Sequence, residues 1–235
     1  MSQLEDDLAF VPEKFSGRAR LFPLPNLVLF PHVIQPLHVF ERRYVNLLHD
    51  AIEDDRLLAM AVLTPGWEQD YEGRPPIAPV ACLGRILSWQ AQPGSRYNML
   101  LLGLRRVRVV RELTSEQSFR SAEVKIINDE YAAASAARRP ALHRKLIESF
   151  EKMLPRIKDS DELFNQLSVN SISLGALTDV IAYALDLNLE TKQSLLAEAN
   201  VDRRAVAMLA HLKGAMRQRR PLSLAAGFPP SFSSN

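Results

Sequence analysis

The stretch Leu21–Tyr44, LFPLPNLVLFPHVIQPLHVFERRY, constrains the fold more than any other part of the chain. Pro23, Pro25, Pro31 and Pro36 punctuate an apolar run. Each proline removes a backbone N–H and clashes with the preceding helical turn, so the run is excluded from a helix interior. Pro25-Asn26 has turn chemistry, because proline presets φ and asparagine tolerates the left-handed region. Leu21–Leu24, Leu27–Phe30 and Val33–Val39 therefore read as extended pieces. Proline within a sheet is confined to edges, strand starts and bulges, which predicts an edge or an irregular ribbon here. After Phe40 the period becomes helical: Tyr44, Leu47, Leu48, Ala51 and Ile52 fall on one face and predict a helix over Glu41–Asp55.

The remaining sequence separates into a β half and an α half. Met1–Arg20 is mixed in character and reads as an N-terminal extension that frays at its start, with Leu4, Leu8, Phe10 and Phe15 able to dock. Arg56–Thr64 is a short apolar run closed by Pro65-Gly66, hence a buried strand. Trp67–Pro79 carries glycine and prolines and reads as a surface loop. Val80–Gln90 is a strand with Gly84 inside it, where a bulge or close backbone approach is expected. Pro93-Gly94-Ser95 predicts a hairpin turn and Tyr97–Leu102 the returning strand; Gly103 is expected to break it before a next strand, Val107–Leu113. In Phe119–Asn128, Ala122, Val124 and Ile126 alternate with Glu123 and Lys125, the pattern of a half-buried antiparallel strand.

Beyond Asn128 the signals turn helical. Leu142, Leu146, Phe150, Met153, Leu154 and Ile157 share one face. Leu174–Leu185 follows Ser173, a good N-cap, and helices over Glu190–Ala199 and Asp202–Arg217 come after. Pro221–Asn235 reads as a flexible tail. The expected layout is residues 1–20 as extension, 21–128 as a β subdomain, 129–220 as a helical subdomain and 221–235 as tail. Strands first and helices after predict an α+β fold with a small barrel or folded sheet.

Composition narrows the function classes. At 235 residues the chain buries roughly 70–75% of its unfolded surface, enough for a core without metal or disulfide. A net charge of +2 gives no argument for nucleic acid. The single cysteine, Cys82, excludes an internal disulfide. The N-terminus shows no secretory signal, and no apolar run reaches the roughly 18 residues of a spanning helix. A cytoplasmic protein without membrane association is expected.

Four blocks carry a family resemblance. Pro23–Tyr44, with Phe40-Glu41-Arg42-Arg43-Tyr44, resembles the opening of the Lon N-terminal (substrate-binding) domain, in the form seen in stand-alone bacterial members. Leu57–Val62 followed by Val80–Trp89 resembles the family's second and third strands. Gly103-Leu104-Arg105-Arg106-Val107-Arg108-Val109 is similar to its GLRR segment, and Thr191–Glu198 with Val201-Asp202 to a helix near its C-terminal end. The resemblance spans roughly Leu21–Leu212 and implies a PUA-like β pseudo-barrel followed by an α-helical bundle. It implies protein recognition, of exposed or unfolded segments, in protein quality control. No G-x-x-x-x-G-K-[ST] phosphate loop and no serine–lysine peptidase domain lie within these residues, so no enzyme activity and no cofactor are expected.

The candidate residues each admit a binding and a structural reading. Glu41, Arg42 and Arg43 open the first helix and offer a docking point; alternatively Glu41 is held by the helix dipole and pairs with Arg105 or Arg106. Trp67 and Tyr71 form an exposed aromatic patch or cap the barrel. The edge around Phe30-Pro31-His32 can accept an extended peptide, although prolines usually block such pairing. Phe40, Glu41, Arg43, Tyr44, Gly103, Arg105 and Arg106 make up the motif positions. Arg105, Arg106, Arg108 and Arg111 raise an RNA-binding alternative, weakened because strand alternation splits them between two faces. His32, His38, His49, His143 and His211 lack metal-ligand spacing, and Cys82 reads as a buried inert thiol.

Overall fold

The computed structural model describes residues 10–153, 172–217 and 233–234. Its strands are β1 (Arg18–Leu24), β2 (Ile34–Val39), β3 (Leu57–Val62), β4 (Val80–Gln92), β5 (Arg96–Leu113), β6 (Arg120–Ile127) and β7 (Ser233–Ser234). Its α-helices are α1 (Arg42–Glu53), α2 (Arg139–Glu151), α3 (Leu174–Ala184), α4 (Leu189–Ala197) and α5 (Val201–Arg217). The α+β expectation is met. Leu154, Ile157 and most of the expected tail lie outside the described residues, as do Leu4 and Leu8.

Strand pairing runs β4-β3-β1-β6-β5 and returns from β5 to β4, so five strands close a ring. Within it β1 and β3 are parallel and the other ladders antiparallel. β5 is long enough to serve three partners. Its first half pairs with β2 on one side and its second half with β6, while β4 follows it along the other. Pro23 sits in β1 beyond Leu21, the last β1 residue paired with β6, so its missing N–H costs that ladder nothing.

Gly103 departs from expectation. The sequence predicts a break there, yet β5 runs through it as one 18-residue strand. The glycine serves a crossing. His32 N–H donates to the Gly103 carbonyl (2.8 Å) and Gly103 N–H to the Val33 carbonyl (2.9 Å) as the chain enters β2. A Cβ on Gly103 would lie 2.0 Å from the Phe30 carbonyl oxygen. Gly84 behaves as expected, at a register shift in the β4–β5 ladder. The Pro93-Gly94-Ser95 turn also forms, with Gly94 and Ser95 at φ 81° and 56°.

Alternation divides the core in two. Ala19, Leu21, Ala59, Ala61, Ala81, Leu83, Val107, Ala122 and Val124 come from every strand of the ring and pack together. The opposite positions, including Phe22, Leu24, Leu58, Met60, Val80 and Cys82, join α1 and the later helices in one larger cluster. In α1 the buried residues are Tyr44, Leu47, Leu48 and Ala51, the predicted stripe. Ser173 caps α3 by accepting from Ala176 N–H (3.1 Å), and Asn188 caps α4 by accepting from Thr191 N–H (2.8 Å).

Polar contacts fasten the helices to the ring. Arg106 on β5 is 3% exposed and donates to both carboxylate oxygens of Asp179 on α3, to Asp129 and to the Leu196 carbonyl of α4. Arg204 on α5 is also buried; it donates to Asp129 (2.9 Å), to Thr178 Oγ1 (3.0 Å) and to the Glu198 carbonyl (2.8 Å). In α4, Gln193 Nε2 donates to the Val80 carbonyl (2.7 Å) and Lys192 Nζ to the Tyr183 carbonyl (3.3 Å).

Candidate functional site

Five of the residues singled out in the sequence, Glu41, Arg43, Tyr44, Trp67 and Tyr71, meet at the start of α1. Glu41 occupies the N-cap position, but its side chain caps no helix N–H. One carboxylate oxygen instead accepts from Arg43 Nε (3.0 Å) and the other from the Tyr71 hydroxyl (2.6 Å). This corrects the expected pairing with Arg105 or Arg106. Arg106 is committed to Asp179, and Arg43, two residues along, reaches the carboxylate first. The Arg43 guanidinium lies between two rings, 4.8 Å from Tyr44 and 4.5 Å from Tyr71, and donates to the Tyr71 carbonyl (2.9 Å). Trp67 meets Tyr71 edge-on at 5.3 Å. Burial, then the hydrogen bond to the Glu41 carboxylate, raises the Tyr71 phenol above its ordinary pKa.

The clamp holds the 65–79 connection against the fold. Beneath it, Tyr44 stacks on Phe22 at 4.1 Å and donates to the Pro23 carbonyl (2.7 Å). At the other end of the connection, buried Arg120 donates to the Pro75 carbonyl (2.9 Å) and pairs with Glu112. A cleft of about 280 Å³ lies alongside, lined by Arg43, Tyr44, Glu72, Gly73, Arg74 and Arg120 among others. Trp67 and Tyr71 are half-buried, and Arg42 is exposed. The connection is therefore a fixed surface that presents one side of an aromatic–cation stack.

Because the Glu41 and Arg43 side chains each keep 18% exposure, the pair is not fully desolvated. Glu41→Ala is expected to cost about 1–2 kcal/mol, roughly 2–8 °C in melting temperature. Cleavage within 65–79 under limited proteolysis should accelerate with it. An unchanged melt combined with lost partner capture would assign Glu41 to the partner instead.

The second predicted surface is altered. Phe30 and Pro31 are buried where the chain crosses Gly103, so neither presents a side chain to a partner; of the three, His32 is exposed. His32 takes a left-handed φ of 67° and lines a cavity of about 270 Å³ with Pro31, Arg105, Arg106, Asn128 and Asp129. The arginines do not form a stripe. Arg106 is internal, Arg111 pairs with Glu123 (2.9 Å), and Arg108 is exposed. Cys82 is fully buried, and burial pushes its thiol up. No cluster of metal-ligating side chains occurs among the described residues. Sequence reading missed Asp179, Asp129 and Arg204. One signal was available: Asp179 is the sole charged residue in LGALTDVIAYA, and a carboxylate on such a helix needs a partner.

The closed ring, its helical layer and the clamp on its surface define a mixed-sheet α+β module. The family model described as the ATP-dependent protease La (LON) substrate-binding domain matches residues 18–214, and the chain belongs to that family. Among curated relatives, the Lon protease of Dictyoglomus thermophilum is 27% identical over 188 residues, covering 78% of this chain and 23% of that protein. The Lon protease of Azospirillum brasilense is 28% identical over 202 residues, covering 84% and 24%. The chain thus spans about a quarter of the length of these relatives. Two solved structures share the fold. One is a Lon N-terminal domain protein from Xanthomonas campestris (TM-score 0.58, 24% identity, 82% of this chain and 97% of that one). The other is the N-terminal domain of the Mycobacterium avium complex Lon protease (TM-score 0.65, 15% identity, 83% and 98%).

Proposed function

We propose that the protein is a non-enzymatic recognition module that binds exposed or unfolded segments of other proteins, as an adaptor or chaperone-like factor in protein quality control. Membership of a substrate-binding domain family carries the reading. The clamp supports it physically. Trp67 and Tyr71 place two aromatic rings on a connection that Arg43 of α1 and Arg120 of β6 hold in place, so little ordering entropy remains to be lost on binding. The arginines of β5 give RNA binding little support, since the deepest of them is consumed internally.

The test is capture of a chemically unfolded protein against its native form, with an unrelated protein of equal net charge as bait control. Enrichment of the unfolded form, weakened by Trp67→Ala together with Tyr71→Phe, is the expected result. Equal recovery on both baits would overturn the reading. Steep salt dependence of RNA affinity, with no protein capture, would replace it with the nucleic-acid alternative.

A further inference from the structure

We infer that the outer edge of β2 at Leu37–His38 is a docking site for an extended polypeptide segment, and that the segment carrying Ser233 and Ser234 occupies it within the same chain. The inference rests on the recognition reading above and names a second surface for it.

The inner edge of β2 is taken: Ile34–Val39 pair with Leu102–Tyr97 of β5. Pro36 lies in the middle of that ladder. A proline is tolerated in a paired strand where its nitrogen faces away from the partner. Backbone polar groups alternate sides along a strand, so Ile34, Pro36 and His38 turn theirs outward. Two of these positions are already used. Tyr183 of α3 donates to the Ile34 carbonyl (3.3 Å), and Gln35 Nε2 donates to the Pro36 carbonyl (2.7 Å). Pro36 has no N–H to offer. His38 remains, and there β7 runs parallel, Ser233 beside Leu37 and Ser234 beside His38.

Proline and side-chain caps thus protect most of the edge and leave a short window. Its flanks are apolar. Ile34 and Phe40, on the same alternating positions as His38, are 45% and 41% exposed. A strand added here gains backbone bonds in the window and side-chain contact on either side of it. The fitting client is an extended segment with alternating apolar residues, and the resident segment is its competitor.

The test uses the full chain with His38→Cys and Ser234→Cys together. These are directly opposed positions, within reach of a disulfide, and the native Cys82 is buried. Mild oxidation is expected to give an intramolecular disulfide in the monomer. The oxidised protein should capture at least about tenfold less unfolded protein than the same variant reduced, with Ser234→Cys alone unaffected by oxidant. Failure to form the intramolecular bond overturns the pairing. A bond that forms without changing capture overturns the competition. A bond that forms while neither state captures unfolded protein sinks the recognition reading, and the client site with it, while leaving the strand pairing in place.

Discussion

Asp179→Ala is expected to lower the melting temperature by roughly 6–20 °C, corresponding to about 3–5 kcal/mol for a chain of this length. Asp179 is 0% exposed and accepts from both terminal nitrogens of Arg106, while Arg204 Nε lies 3.5 Å away. Removing the carboxylate leaves Arg106 buried at 3% exposure with Asp129 (3.4 Å) and the Leu196 carbonyl as partners. The loss arises less from the missing attraction than from a guanidinium that stays desolvated without adequate compensation. A paired comparison separates these causes. Arg106→Met with Asp179→Leu removes both charges at similar volume and should cost less than Asp179→Ala alone, because Arg204 keeps Asp129, Thr178 and the Glu198 carbonyl. Thermal or urea melts of the three proteins check this. A double variant as unstable as the single one would show that the contacts themselves, rather than the orphaned charge, hold the helices to the ring.

Gly103→Ala is expected to cost about 3 kcal/mol, near the upper end for overpacking, and to do so with the smallest possible side chain. The added Cβ would meet backbone, the Phe30 carbonyl oxygen at 2.0 Å and its carbon at 2.8 Å, and backbone has no rotamer to escape into. Gly84→Ala is the informative control. Its nearest neighbours would be the Leu101 side chain at 2.9 Å and the Leu102 carbonyl oxygen at 3.1 Å, a much milder overlap than 2.0 Å against backbone, so a smaller loss is expected. Equal melting temperatures for the two variants would remove the crossing from the explanation of Gly103. The same crossing buries Phe30 and Pro31, so Gly103→Ala should also expose the start of β2 to amide exchange.

These two variants explain the GLRR block. Its glycine admits a crossing chain and its second arginine bolts a helical layer to the ring, so both positions are accounted for by folding. In the Phe40–Tyr44 block, Tyr44 is likewise internal, stacked on Phe22, whereas Glu41 and Arg43 form the partly exposed clamp. The helix carrying Lys192 and Gln193 docks on β4 and α3 through their side chains.

The sequence by itself determined the elements whose cause is local. The stripe of α1 follows from 3.6-residue periodicity, the β6 strand from alternation, the β4–β5 turn from Pro93-Gly94-Ser95, and the α3 start from Ser173. It also picked out Glu41, Arg43, Trp67 and Tyr71 as residues that needed an explanation. Only the tertiary structure decided which of them touch. Glu41 meets Tyr71 across 30 residues, Arg106 meets Asp179 across 73, and Ser233 lies against Leu37. Pairings at such separations depend on how the ring closes and which face of β5 the helices cover. Charge and alternation along one segment carry no information about either, so the partners of a buried arginine become legible only when the strands are in place.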